Sequence, residues 1–412
     1  MRVSSVLGLN CRGRYSGKFF AAYFFYYAGY CVFSSYIVSY LTELGYSASL
    51  CGSIASLALV ANLLMEPIGG YITDTFLSVR RYLILCIVVI TGLCLVCTFV
   101  SDIPWLCMTL LMLTAGVAYP FSQLMDAWVN CSMSVDSTLV YSRIRAGGSI
   151  GFAVSSILAG YYFDAFGWGS YFIVQAVMFL CMIPFLIRLP LVELGNRHTK
   201  EESEHSLTLG EAFGVLLRSH RYLFSLLICT VYWFSHRPVG SYLALIINDR
   251  GGDAGTFGSV CGIGAAVEFF GLMLLAAFQK RKDLFLRVGM TAALLTNLLR
   301  PACILLLPGL WPLYVGQILQ SISFAFFLSV SVDCFAQTAD SRIRSFCISV
   351  GLTASSVGGT ILANMLGGWL CDLQGTTSLV VLSLGVSLFN CALLVLMFRH
   401  VFQRAEQGSE LS

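Results

Sequence analysis

Seven ionisable side chains interrupt the long apolar runs of this 412-residue sequence. They are Glu66, Asp126, His236, Arg237, Glu268, Arg300 and Asp333. An ionised group in the hydrocarbon core of a membrane costs at least about 2.5–3.5 kcal/mol, so such groups are expected to be paired or to face water. The chemistry open to them is the binding of a polar solute, the carriage of a proton, or an ion pair between two helices.

The stretch from Tyr141 to Gly151, which reads YSRIRAGGSIG, places Arg143 and Arg145 at the mouth of an apolar run. Asp126 lies inside the preceding run, and two antiparallel helices joined by a short loop can bring it to Arg145. A desolvated carboxylate–guanidinium pair can hydrogen-bond a polyol, although the same pair can also be purely structural. We expect solute binding from Asp126 and Arg145, and a role as a basic anchor for Arg143.

Glu268 lies midway along another apolar run, in GAAVEFFG, with no basic residue within one helical turn in sequence. Its partner must come from another helix, and Arg300 or Arg237 could supply one. A carboxylate that loses such a partner in an apolar setting takes up a proton readily. Glu268 is therefore the predicted proton carrier, with a static ion pair as the alternative.

Two further candidates stand next to prolines, Glu66 before Pro67 and His236 just before Pro238. Proline inside a helix frees a backbone carbonyl and often accompanies a kink that lines a cavity. Glu66 is either a second proton site or a neutral carboxyl group held by backbone carbonyls. His236 either contacts solute, relays a proton, or is a satisfied histidine between helices.

Long membrane helices are needed to position these residues. The sequence is 58% hydrophobic and 11% charged, whereas a soluble domain carries about 25% charged residues. Twelve runs are close to the length of about 20 apolar residues that a transmembrane helix needs. They are 19–42, 49–72, 82–100, 105–132, 142–163, 169–189, 222–246, 256–278, 285–307, 310–335, 344–370 and 377–398. An all-α integral membrane protein with twelve transmembrane helices is predicted.

Basic residues set the predicted orientation, because they accumulate in cytoplasmic joints. Of the 24 lysines and arginines, 21 fall in the termini and in alternate joints, two lie within runs, and only Arg250 lies in the opposite joints. Both termini are therefore predicted to be cytoplasmic, in a bacterial-type plasma or inner membrane. The net charge of +3 is too small to suggest binding to nucleic acid.

The two halves of the chain repeat one another. The letters SRIR occur at 142–145 and 341–344, at the start of the fifth run of each half, and each fifth run ends in Gly-x-x-x-Asp, at 160–164 and 368–372. Parallel six-helix pseudo-repeats of this kind hold a solute near the membrane midplane, between the halves. The predicted divisions are a first half 1–189, a cytoplasmic central loop 190–221, a second half 222–398 and a cytoplasmic tail 399–412.

The segment Gly70-Tyr-Ile-Thr-Asp74, followed by Arg80 and Arg81, resembles the loop between the second and third helices of the major facilitator superfamily. That loop carries Gly-x-x-x-Asp and then two basic residues. With the twelve runs and the repeat, the resemblance covers nearly the whole chain. It implies the major facilitator fold and a secondary transporter that works by alternating access.

Within the superfamily the chain resembles the lactose permease branch of proton symporters. In that branch, an acid of the fourth helix pairs with the second arginine of an Arg-x-Arg that opens the fifth. An aromatic residue seven positions later stacks on the sugar, and an acid and an arginine follow in the eighth and ninth helices. The matching positions are Asp126, Arg145, Phe152, Glu268 and Arg300. Where lactose permease has a lysine, a histidine and a proton-carrying glutamate, this chain has Gln317, Gln320 and Ser323.

Pattern and resemblance together give three sets of predicted functional residues. Substrate contact is expected from Asp126, Arg145, Phe152, His236, Glu268 and Gln320. Proton coupling is expected from Glu268, Glu66 and Arg300. Conformational gating is expected from Asp74, Arg80, Arg81, Asp333, Arg342 and Arg344.

The predicted function is proton-coupled symport of a small polar solute, with a sugar or oligosaccharide leading and nucleosides or aromatic acids as the alternative. A non-transporting membrane sensor on the same scaffold is the alternative of another class. No nucleophile–base pair or metal-ligand cluster is visible, and the 16 cysteines are scattered, so we expect neither an enzyme nor a metal or other cofactor. The expected partners are the solute, protons and the lipid bilayer, and the chain is expected to be a monomer.

Overall fold

The computed structural model describes residues 15–100, 102–133, 136, 138–190, 209–278, 282–338 and 344–397. In these ranges every regular element is a helix. The predicted gating residue Arg342, the tail 399–412 and most of the central loop 190–221 lie outside the described residues.

Eight α-helices precede the central loop and eight begin within or after it. The first eight are α1 (Ser16–Glu43), α2 (Ala48–Thr75), α3 (Val79–Val100), α4 (Pro104–Ala118), α5 (Phe121–Met133), α6 (Tyr141–Phe166), α7 (Tyr171–Leu180) and α8 (Ile183–Ile187). The others are α9 (Leu209–Arg218), α10 (His220–Ser241), α11 (Leu243–Asp249), α12 (Ala254–Phe278), α13 (Lys282–Leu306), α14 (Trp311–Thr338), α15 (Arg344–Gln374) and α16 (Thr377–Met397).

Each of the twelve predicted runs coincides with one of these helices or with a helix pair broken at a turn. The run 105–132 is divided into α4 and α5 at Tyr119 and Pro120, where the proline lacks the amide hydrogen that a continuous helix would use. Nine helices of the described ranges are long and apolar enough to cross a membrane. The other three predicted runs lie in α1, α6 and α10, whose 28, 26 and 22 residues include more tyrosine, serine or basic side chains. The all-α membrane fold is thus confirmed.

The chain forms two compact units. The first unit comprises Met1–Ser34, Ala61–Ser156 and Trp168–Thr199, and the second comprises Ser35–Val60, Ile157–Gly167 and Lys200–Ser412. The second unit therefore contains the end of α1, the start of α2 and the end of α6 along with the C-terminal helices. The predicted division into halves 1–189 and 222–398 stays a prediction about the repeat.

Within the second unit, two aspartates bind the starts of helices that are distant in sequence. The amides of Ala254 and Gly255, which open α12, donate to the carboxylate of Asp164 over 3.0 and 2.5 Å. The amides of Ala48 and Ser49, which open α2, donate to Asp372 over 2.8 and 2.9 Å. The two Gly-x-x-x-Asp segments thus make the same contact, a carboxylate on the first two free amides of a helix, where the helix dipole also favours a negative charge.

The glycine of each segment permits this contact. A methyl group at Gly160 would lie 2.3 Å from the carbonyl oxygen of Ala254, and one at Gly368 would lie 2.6 Å from that of Ala48. Each helix also ends at a glycine with positive φ, Gly167 at 73° and Gly375 at 78°, a conformation that side chains other than glycine rarely adopt. Both helices therefore pack and end in the same way.

Candidate functional site

In the first unit, a charged cluster is built on α1, α5 and α6. The hydroxyl of Tyr23 donates to Asp126 Oδ1 over 2.5 Å, and Tyr23 is 0% exposed. The guanidinium of Arg145 lies over the Tyr27 ring, 4.5 Å from its centroid, and 5.9 Å from the centroid of Tyr23. Tyr141 lies beside both charged groups. A carboxylate and a guanidinium are thus held in a setting of tyrosine hydroxyls and rings.

Local sequence explains how these groups meet. Tyr23 and Tyr27 are four residues apart on α1 and so share one face of that helix. The glycines of α6 let it approach that face, because a methyl group at Gly147 or Gly151 would lie 2.4 or 2.3 Å from a carbonyl oxygen of α1. Gly148 faces Tyr27, where a methyl group would lie 2.6 Å from the ring. The run of small residues after Arg145 therefore positions its guanidinium on the tyrosines.

Asp126 and Arg145 lie in one cluster, and their roles in solute binding stay predictions. Among the described residues, Asp126 takes its hydrogen bond from Tyr23, while Arg145 stacks on tyrosine rings and interacts electrostatically with Asp126. Phe152 is half-buried two turns further along α6. Sequence reasoning missed Tyr23, although its spacing of four residues from Tyr27 was a usable signal.

In the second unit, His236 of α10 is the centre of a polar network. The imidazole is 5% exposed and lies between the rings of Tyr232 and Phe324, with centroid distances of 5.3 and 6.3 Å. Its Nδ1 is 3.2 Å from Asn297 Oδ1, and its Nε2 is 3.2 Å from Gln320 Nε2. Both ring nitrogens therefore have a partner.

The partners of Asn297 assign the tautomer of His236. Asn297 Nδ2 donates to the hydroxyls of Ser235 and Ser387 over 2.7 and 3.1 Å. The remaining amide atom, Oδ1, is an acceptor only, so it takes the Nδ1 proton of His236. His236 is then neutral in this arrangement, and its Nε2 accepts from the amide of Gln320.

Arg300 of α13 donates into the same network and is 2% exposed. Its Nη1 donates to the carbonyl of His236 over 3.2 Å, and its Nη2 donates to Gln317 Oε1 over 3.4 Å. Gln317 Nε2 in turn donates to Gln320 Oε1 over 3.0 Å. The hydrogen bonds therefore run in one direction, from Arg300 through the two glutamines to His236.

The other predicted residues of this unit lie nearby. Glu268 is half-buried on α12 and interacts electrostatically with Tyr232. Arg237 lies over the ring of Trp233, 4.8 Å from its centroid. Ser323 accepts from Tyr232 and donates to the carbonyl of Ala293 over 2.7 Å, so its hydroxyl is fixed in the helix packing.

Two predicted groups lie apart from both clusters. Glu66 is half-buried on α2, and no described residue hydrogen-bonds to it. Asp74 is exposed, and Arg80 donates to the carbonyls of Ile187 and Leu189. Of the remaining predicted gating residues, Arg81 and Arg344 are exposed and Asp333 is half-buried. The gating roles stay predictions.

Sequence reasoning also passed over Asn297 and its serine partners, because a single amide in an apolar run has no distinctive spacing. A signal was present in the sequence nevertheless. Asn297 precedes Arg300 by three residues, so both side chains lie on one face of α13. Gln317 and Gln320 have the same spacing on α14, and the amide of Gln320 lies 3.2 Å from His236 Nε2.

Comparison with known proteins places this geometry in context. The sequence profile of the MFS_1 like family matches residues 18–381. A maltose permease of Geobacillus stearothermophilus is 28% identical over 243 residues, which are 57% of this chain and 55% of that protein. The match thus spans about half the length of that relative.

Solved structures match over nearly the full chain. A nucleoside transporter, NupG, superposes with a TM-score of 0.78 at 16% identity, over 94% of this chain and 98% of that one. A POT family transporter in complex with a thioalcohol-conjugated peptide gives a TM-score of 0.70 at 13% identity, over 94% and 96% of the two chains. At such identities these matches describe the fold alone.

Proposed function

The chain belongs to the MFS_1 like family, and from that premise we propose that it is a proton-coupled symporter of a small polar solute, with a sugar or oligosaccharide as the leading solute. It is a multi-pass membrane transporter of the major facilitator type and not an enzyme. Beyond this assignment, we propose that the solute is a sugar or oligosaccharide and that the coupling ion is the proton. We also propose that the termini are cytoplasmic and that the protein is a monomer in a plasma or inner membrane.

One observation carries the solute proposal. Asp126 and Arg145, which match the acid and the second arginine of the lactose permease branch, lie in one cluster with Tyr23 and Tyr27. Carboxylate, guanidinium and phenol groups together can donate to and accept from the hydroxyls of a sugar. Tyrosine rings also offer flat apolar surface to a sugar face. The similarity to a maltose permease supports the same solute class.

The coupling proposal rests on Glu268. Glu268 is half-buried on α12, and it interacts electrostatically with Tyr232. Arg237 and Arg300 interact electrostatically with the same tyrosine. A carboxylate beside arginines stays ionised, and it takes up a proton when a conformational change withdraws them. Symport then requires that proton and solute each bind one conformation better than the other, since a ligand shifts an equilibrium only by its differential affinity.

The test is transport by the full-length chain in proteoliposomes. Counterflow of labelled maltose, other sugars and nucleosides should identify the solute, and uptake should rise when a pH gradient is imposed. Glu268→Gln should abolish the response to the gradient and retain counterflow, whereas Arg143→Gln, at an exposed position, should retain both. Solute uptake that ignores the gradient would refute symport, and a normal gradient response in Glu268→Gln would remove Glu268 from coupling.

The second candidate, transport of nucleosides or aromatic acids, is favoured by the network in the second unit. His236, Gln317 and Gln320 offer amide and imidazole groups there. Amides pair well with the ring nitrogens and carbonyls of a base. The same counterflow panel decides between the two, because sugars and nucleosides are compared in one preparation.

A further inference from the structure

We propose that the transported solute carries a carboxylate and that Arg300 binds it. This inference rests on the proposed transporter function and narrows its polar solutes to organic acids, such as a sugar acid or an aromatic acid. It assigns Arg300 to solute recognition, whereas resemblance alone assigns it to proton coupling.

The first argument is the burial of an unneutralised cation. Arg300 is 2% exposed, and an arginine keeps its proton under all physiological conditions. In the described part of the chain its hydrogen bonds go to neutral oxygens only, the carbonyl of His236 and Gln317 Oε1. A buried charge without a counter-charge is costly, so a site of this kind is built for an anion.

The second argument is the charge balance around Arg300. Among the described residues, Tyr232, Cys261, Arg237 and His236 interact electrostatically with Arg300, and these four groups include no carboxylate. Glu268 is the carboxylate that acts on the neighbouring Tyr232 together with Arg237 and Arg300. With one carboxylate and two arginines, the described part of this cluster has an excess of positive charge.

The third argument is the set of donors that Arg300 still offers. A guanidinium has five N–H donors in a planar fork. Arg300 uses one on Nη1 and one on Nη2, and its Nε is buried without an acceptor among the described residues. Nε and a terminal nitrogen form the edge that binds a carboxylate through two parallel hydrogen bonds.

The direction of the hydrogen bonds from Arg300 to His236 explains why the nearby glutamines and histidine do not accept from the Nε edge of Arg300. Gln317 Oε1 accepts from Arg300, Gln320 Oε1 accepts from Gln317, and His236 Nε2 accepts from Gln320. These acceptors are engaged along the chain of bonds. The network therefore fixes the guanidinium and presents donors, which is the complement of an anionic group.

The test compares ligands that differ only in charge. Thermal unfolding of the full-length chain is measured with glucuronate against glucuronamide and with benzoate against benzamide, at matched ionic strength. A ligand that binds the folded state alone raises the unfolding temperature. We expect each carboxylate to bind about 10–100-fold more tightly than its amide, which is the range of a charge-assisted hydrogen bond.

Variants connect the preference to Arg300. Arg300→Gln should lose the preference for the carboxylate, and Arg300→Lys should keep a smaller one, because lysine retains the charge without the planar fork. Arg250→Gln is the matched control, since Arg250 also donates to backbone carbonyls around α13, of Leu307 and Gly309, but is only half-buried. It should keep the full preference. Arg300→Lys retains a buried cation, so it serves as the test if Arg300→Gln does not fold.

Three results would overturn the inference. The first is an equal rise in unfolding temperature with a carboxylate and with its amide. The second is an unchanged preference for the carboxylate in Arg300→Gln, or an undiminished one in Arg300→Lys. The third is a rise in unfolding temperature with chloride that is as large as the rise with the carboxylate at the same ionic strength. Uptake driven by a pH gradient is scored separately in proteoliposomes. Normal gradient-driven uptake together with equal binding of both ligand types would retain the transporter and remove only the anion site.

Discussion

Removing Asp164 or Asp372 should favour the conformation in which the starts of α12 and α2 leave their carboxylate partners. Each aspartate binds the first two amides of a helix that is far away in sequence. Each of these helices also has its own N-cap, because Asp253 and Ser47 accept from the amide three residues further on. The chain thus separates two effects, the loss of a tie between segments and the loss of a local cap.

The magnitude follows from the two contacts. Removing a capping side chain costs about 1 kcal/mol, within a range of about 0.5–2, and 1.4 kcal/mol is about tenfold in an equilibrium constant. Asp164→Ala or Asp372→Ala alone should therefore increase the separated conformation about fivefold. The two contacts share no partner, so the double variant should reach about thirtyfold by additivity.

The assay uses a cysteine that the chain already has. Cys51 is in the first turn of α2, next to the amides that Asp372 binds, and is 1% exposed. In proteoliposomes, its rate of alkylation by a membrane-impermeant maleimide, followed by mass spectrometry of its peptide, measures the population in which it is uncovered. The expected increases are those derived above. Ser47→Ala, which removes only the local cap of α2, should leave the rate near that of the unmodified chain.

Two outcomes would refute this reasoning. Equal alkylation rates in the double variant and the unmodified chain would mean that the carboxylates do not hold the helix starts. Equal acceleration by Ser47→Ala and Asp372→Ala would mean that fraying of α2, and not loss of the tie, uncovers the cysteine. The unfolding temperature of every variant is measured alongside, because global destabilisation would accelerate the alkylation of all buried cysteines together.

Two more predictions concern the close packing at Gly160 and the tautomer of His236. Gly160→Ala should also accelerate Cys51 alkylation, since its methyl group would lie 2.3 Å from a carbonyl oxygen, while Gly385→Ala, which has no atom within 4 Å, should not. Asn297→Leu should leave Nδ1 of His236 without its acceptor. Because one buried hydrogen bond is lost, solute binding should weaken about tenfold. Nitrogen NMR shifts of the imidazole should show that His236 no longer has a single tautomer. Ser387→Ala, which removes one partner of Asn297, should keep that tautomer, and a single tautomer in Asn297→Leu would contradict the assignment.

The length of the apolar runs predicted the helices, and charged residues inside those runs were recognised as candidate functional residues. Neither feature predicted which groups these residues would bind. The Gly-x-x-x-Asp segments at 160–164 and 368–372 were visible as a repeat. Their contacts were not, because the donors are backbone amides, which every residue except proline carries and which leave no sequence signature. The role of Asn297 could not be predicted for a related reason. It depends on contacts among three helices, and a single amide in an apolar run does not indicate which helices meet there.

Resemblance and the local contacts of Arg300 suggest two different roles for this residue. Resemblance to the lactose permease branch gives Arg300 a role in proton coupling. The atoms around it are amide and carbonyl oxygens, and the hydrogen bonds run away from it. A matching position therefore transfers a residue type but not the charge of its surroundings, and the surroundings decide what a buried guanidinium can bind.

The duplicated and the unique parts of the chain serve different tasks. The glycine, aspartate and terminal glycine of α6 recur in α15, and both sets make the same contact with the start of a helix. The two polar clusters of the described residues differ in composition: one has a carboxylate and an arginine among tyrosines, and the other has a neutral histidine, two glutamines and a buried arginine. The repeated contact therefore belongs to the packing of helix ends, whereas the polar groups that could bind a solute differ from one cluster to the other. The proposed ligand class follows from the second cluster alone, because the hydrogen bonds of its buried guanidinium go to neutral oxygens and its Nε has no acceptor among the described residues.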